Sequence, residues 1–448
     1  MLKFLFFDYR NVGALSGFER KLQQPVKHSH NPLFLSEEPW ENGNLTLYGS
    51  VVKRPDGPFQ LWYTVVREPF QLTLAYAESD DGLVWRKPLF DFFLHEGRKT
   101  NVLLADELHG AAIIYDANEP QADRKYKMLA GKGRRGPIHG YCSADGIRWT
   151  EVSRFPVITT RPDCPIGLLR ARDGRYVAYH RNETFGRRVF RSESWDFKHW
   201  SSEPRLVLEP DAGDAPLTQF YGLGSTGYGP FEIGTLWMYR VDQADPSGMS
   251  GYQEAELTYA RSGHAWHRAA QGTAFIPHGA PGTWEQGNLQ CASAPLLLED
   301  EIRYYYAATD INHSKDWELK PHRAGIGLAV LKPDRFVALE AGEAGASLVT
   351  QPFVLPSADI RVNADIAPDG WIGMEILDEH YQPLEGFELQ ASPRLTGDAL
   401  DHRLVWSAGS PPVGATVRLK IDARHAKLYS IYLPEGESVL RYDEFRSL

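Results

Sequence analysis

Three cysteines in 448 residues, Cys142, Cys164 and Cys291, are too few and too scattered for a disulfide framework, and no CxxC spacing offers a zinc knuckle. They read as small core residues. Basic clusters are missing too: the net charge is -10, with no lysine/arginine block or stripe, which argues against nucleic acid and anionic membranes as partners. No apolar run approaches a membrane span, and the apolar stretch within Met1 to Arg10 is too short and too soon interrupted for a signal segment. The expectation is a cytoplasmic protein. GxSxG, HExxH, P-loop and Rossmann glycine motifs are all absent, and His28-Ser29-His30 has no further ligand at metal-binding spacing. No metal and no cofactor are therefore expected.

Aromatics and turn residues are abundant. With 42% hydrophobic and 12% aromatic content, the chain has enough apolar material for a large core and two or three domains. One unit recurs five times: an alternating strand, then Ser-x-Asp-Gly or a relaxed form of it, then an aromatic two or three residues on. The copies end at Ser79-Asp80-Asp81-Gly82 with Trp85, Ser143-Ala144-Asp145-Gly146 with Trp149, and Ser194-Trp195-Asp196-Phe197 with Trp200. Ser262-Gly263 with Trp266 and the degenerate Pro333-Asp334 with Phe336 complete the series. Asp-Gly supplies the positive φ of a tight hairpin, and the aromatic can pack back over it. Ahead of each copy lies another strand, such as Phe59 to Thr64 or Tyr176 to His180. Four strands per copy at intervals of roughly 50 to 70 residues match propeller blades. A pair of stacked sandwiches would not explain the fivefold phase.

The predicted fold is all-β: a five-bladed β-propeller over 31–340 followed by a β-sandwich over 341–448, with 1–30 bracing or closing the propeller. The small-residue junction Gly342-Glu343-Ala344-Gly345-Ala346 marks where the repeat stops.

A propeller gathers its innermost strands at a central funnel, so site residues are sought where those strands begin. The first three starts each carry an acid, Glu41, Glu107 and Asp163. Glycoside hydrolysis needs one protonated and one ionised carboxyl, and carboxylates from different blades can supply them; Asp163 and Glu107 are the expected acid/base pair, with Glu41 supporting. Each can equally cap a turn. His109 and Arg181 are candidates for binding a sugar hydroxyl or tuning an acid, and Trp40 and Tyr221 for stacking on a sugar face. Glu254 and Glu256 straddle a predicted strand; Glu254 is expected in the loop before it and is preferred. His313 ends a polar stretch, Thr309-Asp310-Ile311-Asn312-His313, expected beside the funnel.

The chain resembles the five-bladed propeller glycosidases of the clan containing glycoside hydrolase families 32 and 43. The resemblance rests on Asn31-Pro32-Leu33-Phe34, Leu47-Tyr48-Gly49-Ser50-Val51, Leu61-Trp62-Tyr63 and Tyr176-Val177-Ala178-Tyr179-His180-Arg181. It continues in Ser194 to Trp200, Thr283-Trp284-Glu285-Gln286-Gly287 and Gly325 to Ala329, and extends into the C-terminal domain. It implies a hydrolase acting on a small oligosaccharide or furanoside, such as a fructoside or arabinoside. In the clan, blades one, two and three carry the nucleophile or base, the pKa modulator and the acid; Glu41, Glu107 and Asp163 hold those stations here. The motifs WMNDPNG, RDP and EC of family 32 are absent as such. A phosphorylase using one acid and a cationic pocket built from Arg181, His109 and His313, and a non-catalytic sugar-binding propeller, are the alternatives.

Overall fold

A computed structural model describes residues 2–67, 71–105, 108–133, 136–160, 162–182, 186–242, 244, 250–313 and 322–434. Among them no α-helix occurs; the regular elements are strands and single 3-10 turns. They form two compact units: Pro25–Val330, and the N-terminal segment up to Gln24 together with the chain from Leu331 onward.

Pro25–Val330 is a five-bladed β-propeller. Blade one pairs Leu45–Lys53, Phe59–Arg67, Gln71–Ser79 and Val102–Leu104; blade two pairs Leu108–Tyr115, Tyr126–Lys132, Ile138–Ser143 and Thr150–Glu151. Blade three uses Pro162–Arg170, Tyr176–Asn182, Val189–Ser194 and Arg205–Leu208, and blade four Gln219–Tyr228, Phe231–Val241, Gly251–Ala260 and Trp266–Arg268. In blade five, Leu289–Cys291 and Leu296–Leu297 pair with Ile302–Thr309, which is followed by Ala324–Leu331. Its outer edge is covered by Val26–Lys27 and Phe34–Leu35, so the open sheet edge is hydrogen-bonded by chain from before blade one.

The recurring turn is stitched twice. In blade two, Ser143 Oγ accepts from the Gly146 amide at 2.9 Å, while Asp145 Oδ1 accepts from Ile147 and Arg148 at 2.8 and 2.9 Å. Those bonds pull the Asp145 carboxyl below its ordinary value although burial opposes them. The Gly146 carbonyl then accepts from Trp62 Nε1 of blade one at 2.7 Å. The repeat is thus a latch between blades, and the same bond recurs as Tyr305 to Gly82 and Tyr179 to Gly263. Gly146 lies at φ 78°, and a Cβ there would stand 2.6 Å from Trp62. Gly146→Ala is expected to cost about 2 kcal/mol or more, from the left-handed backbone and the clash together, read as a fall in the urea unfolding midpoint. In blade one the copy makes the same turn, but beyond it the chain adds a Glu78 to Arg86 bridge and the hairpin Phe90–His95 with Arg98–Thr100 before the fourth strand, an insertion the repeat did not predict.

Four inner strands lose register with their neighbours near their starts: between Thr46 and Ser50, His109 and Ala111, Pro165 and Gly167, and Phe220 and Gly222. Bulges of this kind re-aim side chains. Below them the strands close on the axis. Ser293 N donates to the Gly49 carbonyl and Ser225 N to the Ser293 carbonyl, at 2.9 and 2.8 Å. Gly224 permits this approach, since a Cβ there would lie 2.6 Å from the Ala292 carbonyl. At the far ends of the inner strands a hollow of about 650 Å³ opens, lined by residues such as Val51, Ile113, Leu169, Thr226 and Leu296.

The second unit is also all-β. Leu2–Leu5, Val12–Ser16, Phe18–Leu22, Val337–Ala341, Ala346–Thr350, Phe353–Val354, Ile360–Leu377, Gly397–Leu404 and Thr416–Leu433 form nine strands. All nine join one hydrogen-bonded network, because the 18-residue Thr416–Leu433 is long enough to pair with five neighbours along its length. Leu348, Ile360, Met374, Trp406 and Leu428 share its apolar core. The N-terminal segment is divided: strands up to Leu22 belong to this sheet, and Val26 onward to blade five.

Candidate active site

Asp163 sits at the start of the blade-three inner strand and is buried. Its Oδ2 forms an ion pair with Arg181 Nη2 at 2.9 Å, and its Oδ1 lies 3.3 Å from His109 Nδ1. His109 Nε2 is in turn 3.4 Å from Arg181 Nη2, closing a triangle between blades two and three. Burial favours the neutral acid, but the Arg181 guanidinium, His109 and Arg187 outweigh it and hold the Asp163 carboxyl far below the usual carboxylate range. A group so held favours its ionised form.

The triangle abuts an aromatic floor. Tyr48 and Tyr221 occupy bulged positions of the blade-one and blade-four inner strands, and so lean inward. Tyr48 stacks edge-on against His109 at 5.5 Å and lies 5.4 Å from Trp237. Arg181 Cζ stands 4.3 Å over the Tyr221 ring, and Arg181 Nη1 donates to the Tyr221 carbonyl at 3.3 Å. Arg187 Cζ covers the same ring at 4.7 Å and Tyr239 at 5.5 Å. Tyr221 and Tyr239 hydroxyls lie 3.4 and 3.3 Å from His313 Nε2 and Nδ1. Beside these rings is a cavity of about 10 Å³, one-water sized, lined by Thr46, Tyr48, Tyr221, Asn288, Gln290 and His313. The larger hollow lies at the opposite end of the axis, yet the interacting charged groups gather here, and it is they that define the site.

Of the expected residues, Asp163, His109, Arg181, Tyr221 and His313 therefore converge. Glu107 lies outside the described residues. Glu41 does not face the funnel: it is fully buried in the 3-10 turn Pro39–Glu41, accepting from Tyr63 Oη at 2.6 Å, the Glu37 and Glu38 amides at 3.1 Å, and Lys87 Nζ at 2.8 Å. Both oxygens are spent on holding the loop. Trp40 donates to Asn101 Oδ1 at 2.7 Å and is buried, leaving no open face for a sugar. Glu254 lies inside the strand Gly251–Ala260, not before it, and both it and Glu256 bind Arg240 at 2.9 Å. Residues two apart in a strand share a face, so the two act together as an ion network within the blade.

Tyr48, Arg187 and Tyr239 were not foreseen. Tyr48 lay within a quoted motif, Leu47 to Val51, whose bulge is invisible in the sequence. Arg187 follows the second strand of blade three, which ends at the mouth where the inner strand begins, a position any antiparallel blade dictates.

No protein-family model matches the chain, and no curated protein matches it by sequence. Among solved structures, the α-L-arabinofuranosidase of Podospora anserina, in complex with cellotriose, is similar at a TM-score of 0.50 and 10% identity, over 70% of this chain and 98% of its own. A structure from the GH130 family, described as mannoside phosphorylases containing glycoside hydrolases that target β-1,2 mannosidic linkages in Candida mannan, gives 0.47 and 17%, over 72% and 95%. An N-acetylgalactosamine deacetylase from F. plautii, in complex with blood group B trisaccharide, gives 0.49 and 13%, over 72% and 96%. The likeness to the arabinofuranosidase is one of fold.

Proposed function

We propose that the protein is a glycoside hydrolase acting on a small oligosaccharide or furanoside at the mouth formed by Asp163, His109, Arg181, Tyr48 and Tyr221. The observation that carries this reading is Asp163, a buried carboxylate kept ionised at the blade-three station. A fixed negative charge there stabilises the positive charge that develops at the anomeric carbon as a glycosidic bond breaks. The similarity of the arabinofuranosidase solved with cellotriose, together with the sequence resemblance to families 32 and 43, supports a carbohydrate of that size. The chemistry calls for no redox cofactor.

A phosphorylase is the second reading, favoured by one observation. Arg187 stacks on two tyrosines, donates to Gln219 Oε1 at 2.7 Å, and pairs with no carboxylate among the described residues, which leaves a cation at the mouth for an oxyanion. A panel of glycosides assayed with and without inorganic phosphate separates the two, since only the phosphorylase requires phosphate. Asp163→Asn is expected to lower turnover about 100-fold on any substrate the wild type cleaves, with the fold retained by circular dichroism. Unchanged turnover would remove Asp163 from the site.

A further inference from the structure

The aromatic floor carries more than binding. We infer that Tyr221 is the proton donor of this mouth, its phenol giving a proton to the oxygen of the breaking glycosidic bond and its phenolate resting between Arg181 and Arg187. The inference rests on the hydrolase reading. It stands first on geometry. Among the described residues the contacts of Asp163 come from Arg181 and His109 and include no second carboxylate, so within that set the acid that accompanies an ionised carboxylate comes from another kind of group. Tyr221 is buried, lies in a bulge at the mouth, and has the guanidinium carbons of Arg181 and Arg187 4.3 and 4.7 Å from its ring centre. Its hydroxyl reaches His313 Nε2 at 3.4 Å, beside the small cavity, so a route exists by which a proton can be returned.

The charged and titratable groups around it are Asp163, Cys164, Arg181 and Arg187 from blade three, His109 from blade two, Tyr48 from blade one, Tyr239 from blade four, and His313 after blade five. Burial alone raises the phenol, but Arg187, Arg181 and the hydrogen bond with Tyr48 outweigh it and bring Tyr221 below the ordinary tyrosine value; Asp163 works weakly the other way. Tyr48, pushed well up by burial with Tyr221 beside it, keeps its proton. Protons balance over a turnover. The phenol proton goes to the departing oxygen as the C–O bond breaks, and the incoming water bonds to the anomeric carbon. That water's released proton restores the phenol.

Two measurements on the full chain test this. In alkaline titration followed by tyrosinate absorbance, one phenol should ionise below the usual value of about 10. That early step should vanish in Tyr221→Phe and move upward in Arg187→Gln, which also serves if the first variant fails to fold. An early step that persists in Tyr221→Phe, or its absence from the wild type, overturns the assignment. The second reads the leaving group. Loss of a general acid hurts poor leaving groups most, so Tyr221→Phe should cleave an unactivated oligosaccharide about 100-fold more slowly while cleaving its 4-nitrophenyl counterpart at near the wild-type rate. Equal losses on both substrates point to a structural role and overturn the proposal, as does the same signature appearing in Glu107→Gln instead. A wild type that cleaves neither substrate removes the hydrolase reading and the donor role with it, while the titration still reports whether Tyr221 ionises early.

Discussion

Arg181→Met should destabilise the propeller by about 3 to 5 kcal/mol, because it leaves Asp163 as a buried carboxylate without its main cation. Arg181 is itself almost wholly buried, so solvent does little to screen the pair. The loss should depend on pH in a definite direction. In the wild type the folded Asp163 carboxyl is depressed, so its contribution is fully present above the unfolded value of about 3.9 and is withdrawn as pH falls below that. Without Arg181, burial pushes that carboxyl upward, and the acid-side slope contributed by this residue should flatten or reverse. Chemical denaturation of both proteins at neutral pH and near pH 3 checks this: the gap should narrow at the acid end. An equal gap at both ends would show that Arg181 stabilises by packing on Tyr221 and Tyr48 alone.

The same residue shows what a sequence can and cannot carry. The fivefold unit was readable because its signals are local: Ser143, Asp145 and Gly146 make their turn within four residues, and the turn's chemistry is the same wherever it occurs. The latch from Trp62 to Gly146 joins residues 84 apart, and nothing in either segment names the other. Convergence at the mouth was legible in part, since strand order alone brings Asp163, His109 and Arg181 to one end of the axis. Which carboxylate faces the mouth was not, because that depends on a bulge or a 3-10 turn. One register shift turns Tyr48 and Tyr221 inward; one capped turn draws Glu41 away. Arg240 and its two glutamates are a further case: the strand already begins at Gly251, so Glu254 and Glu256 share one of its faces and bind one arginine.

Glu41→Gln supplies the contrast to Arg181. The Glu41 carboxylate is fully buried against Lys87, itself only 14% exposed at its side chain, and it binds two backbone amides and the Tyr63 hydroxyl. Removing the charge leaves Lys87 as a nearly buried ammonium over the Phe34 ring, with the amide able to replace only part of the acceptor capacity. The expected cost is about 3 kcal/mol, measured as a lower unfolding midpoint with an unchanged denaturant slope. Lys87→Met should cost a similar amount, and the double variant Glu41→Gln with Lys87→Met less than the sum, since the second change removes the charge that the first leaves stranded. Turnover per folded molecule should stay near wild type in all three, because these groups fix the turn before blade one and touch neither Asp163 nor Tyr221. A fall in turnover of 100-fold in Glu41→Gln, with stability intact, would instead return Glu41 to the catalytic station that its place in the sequence first suggested.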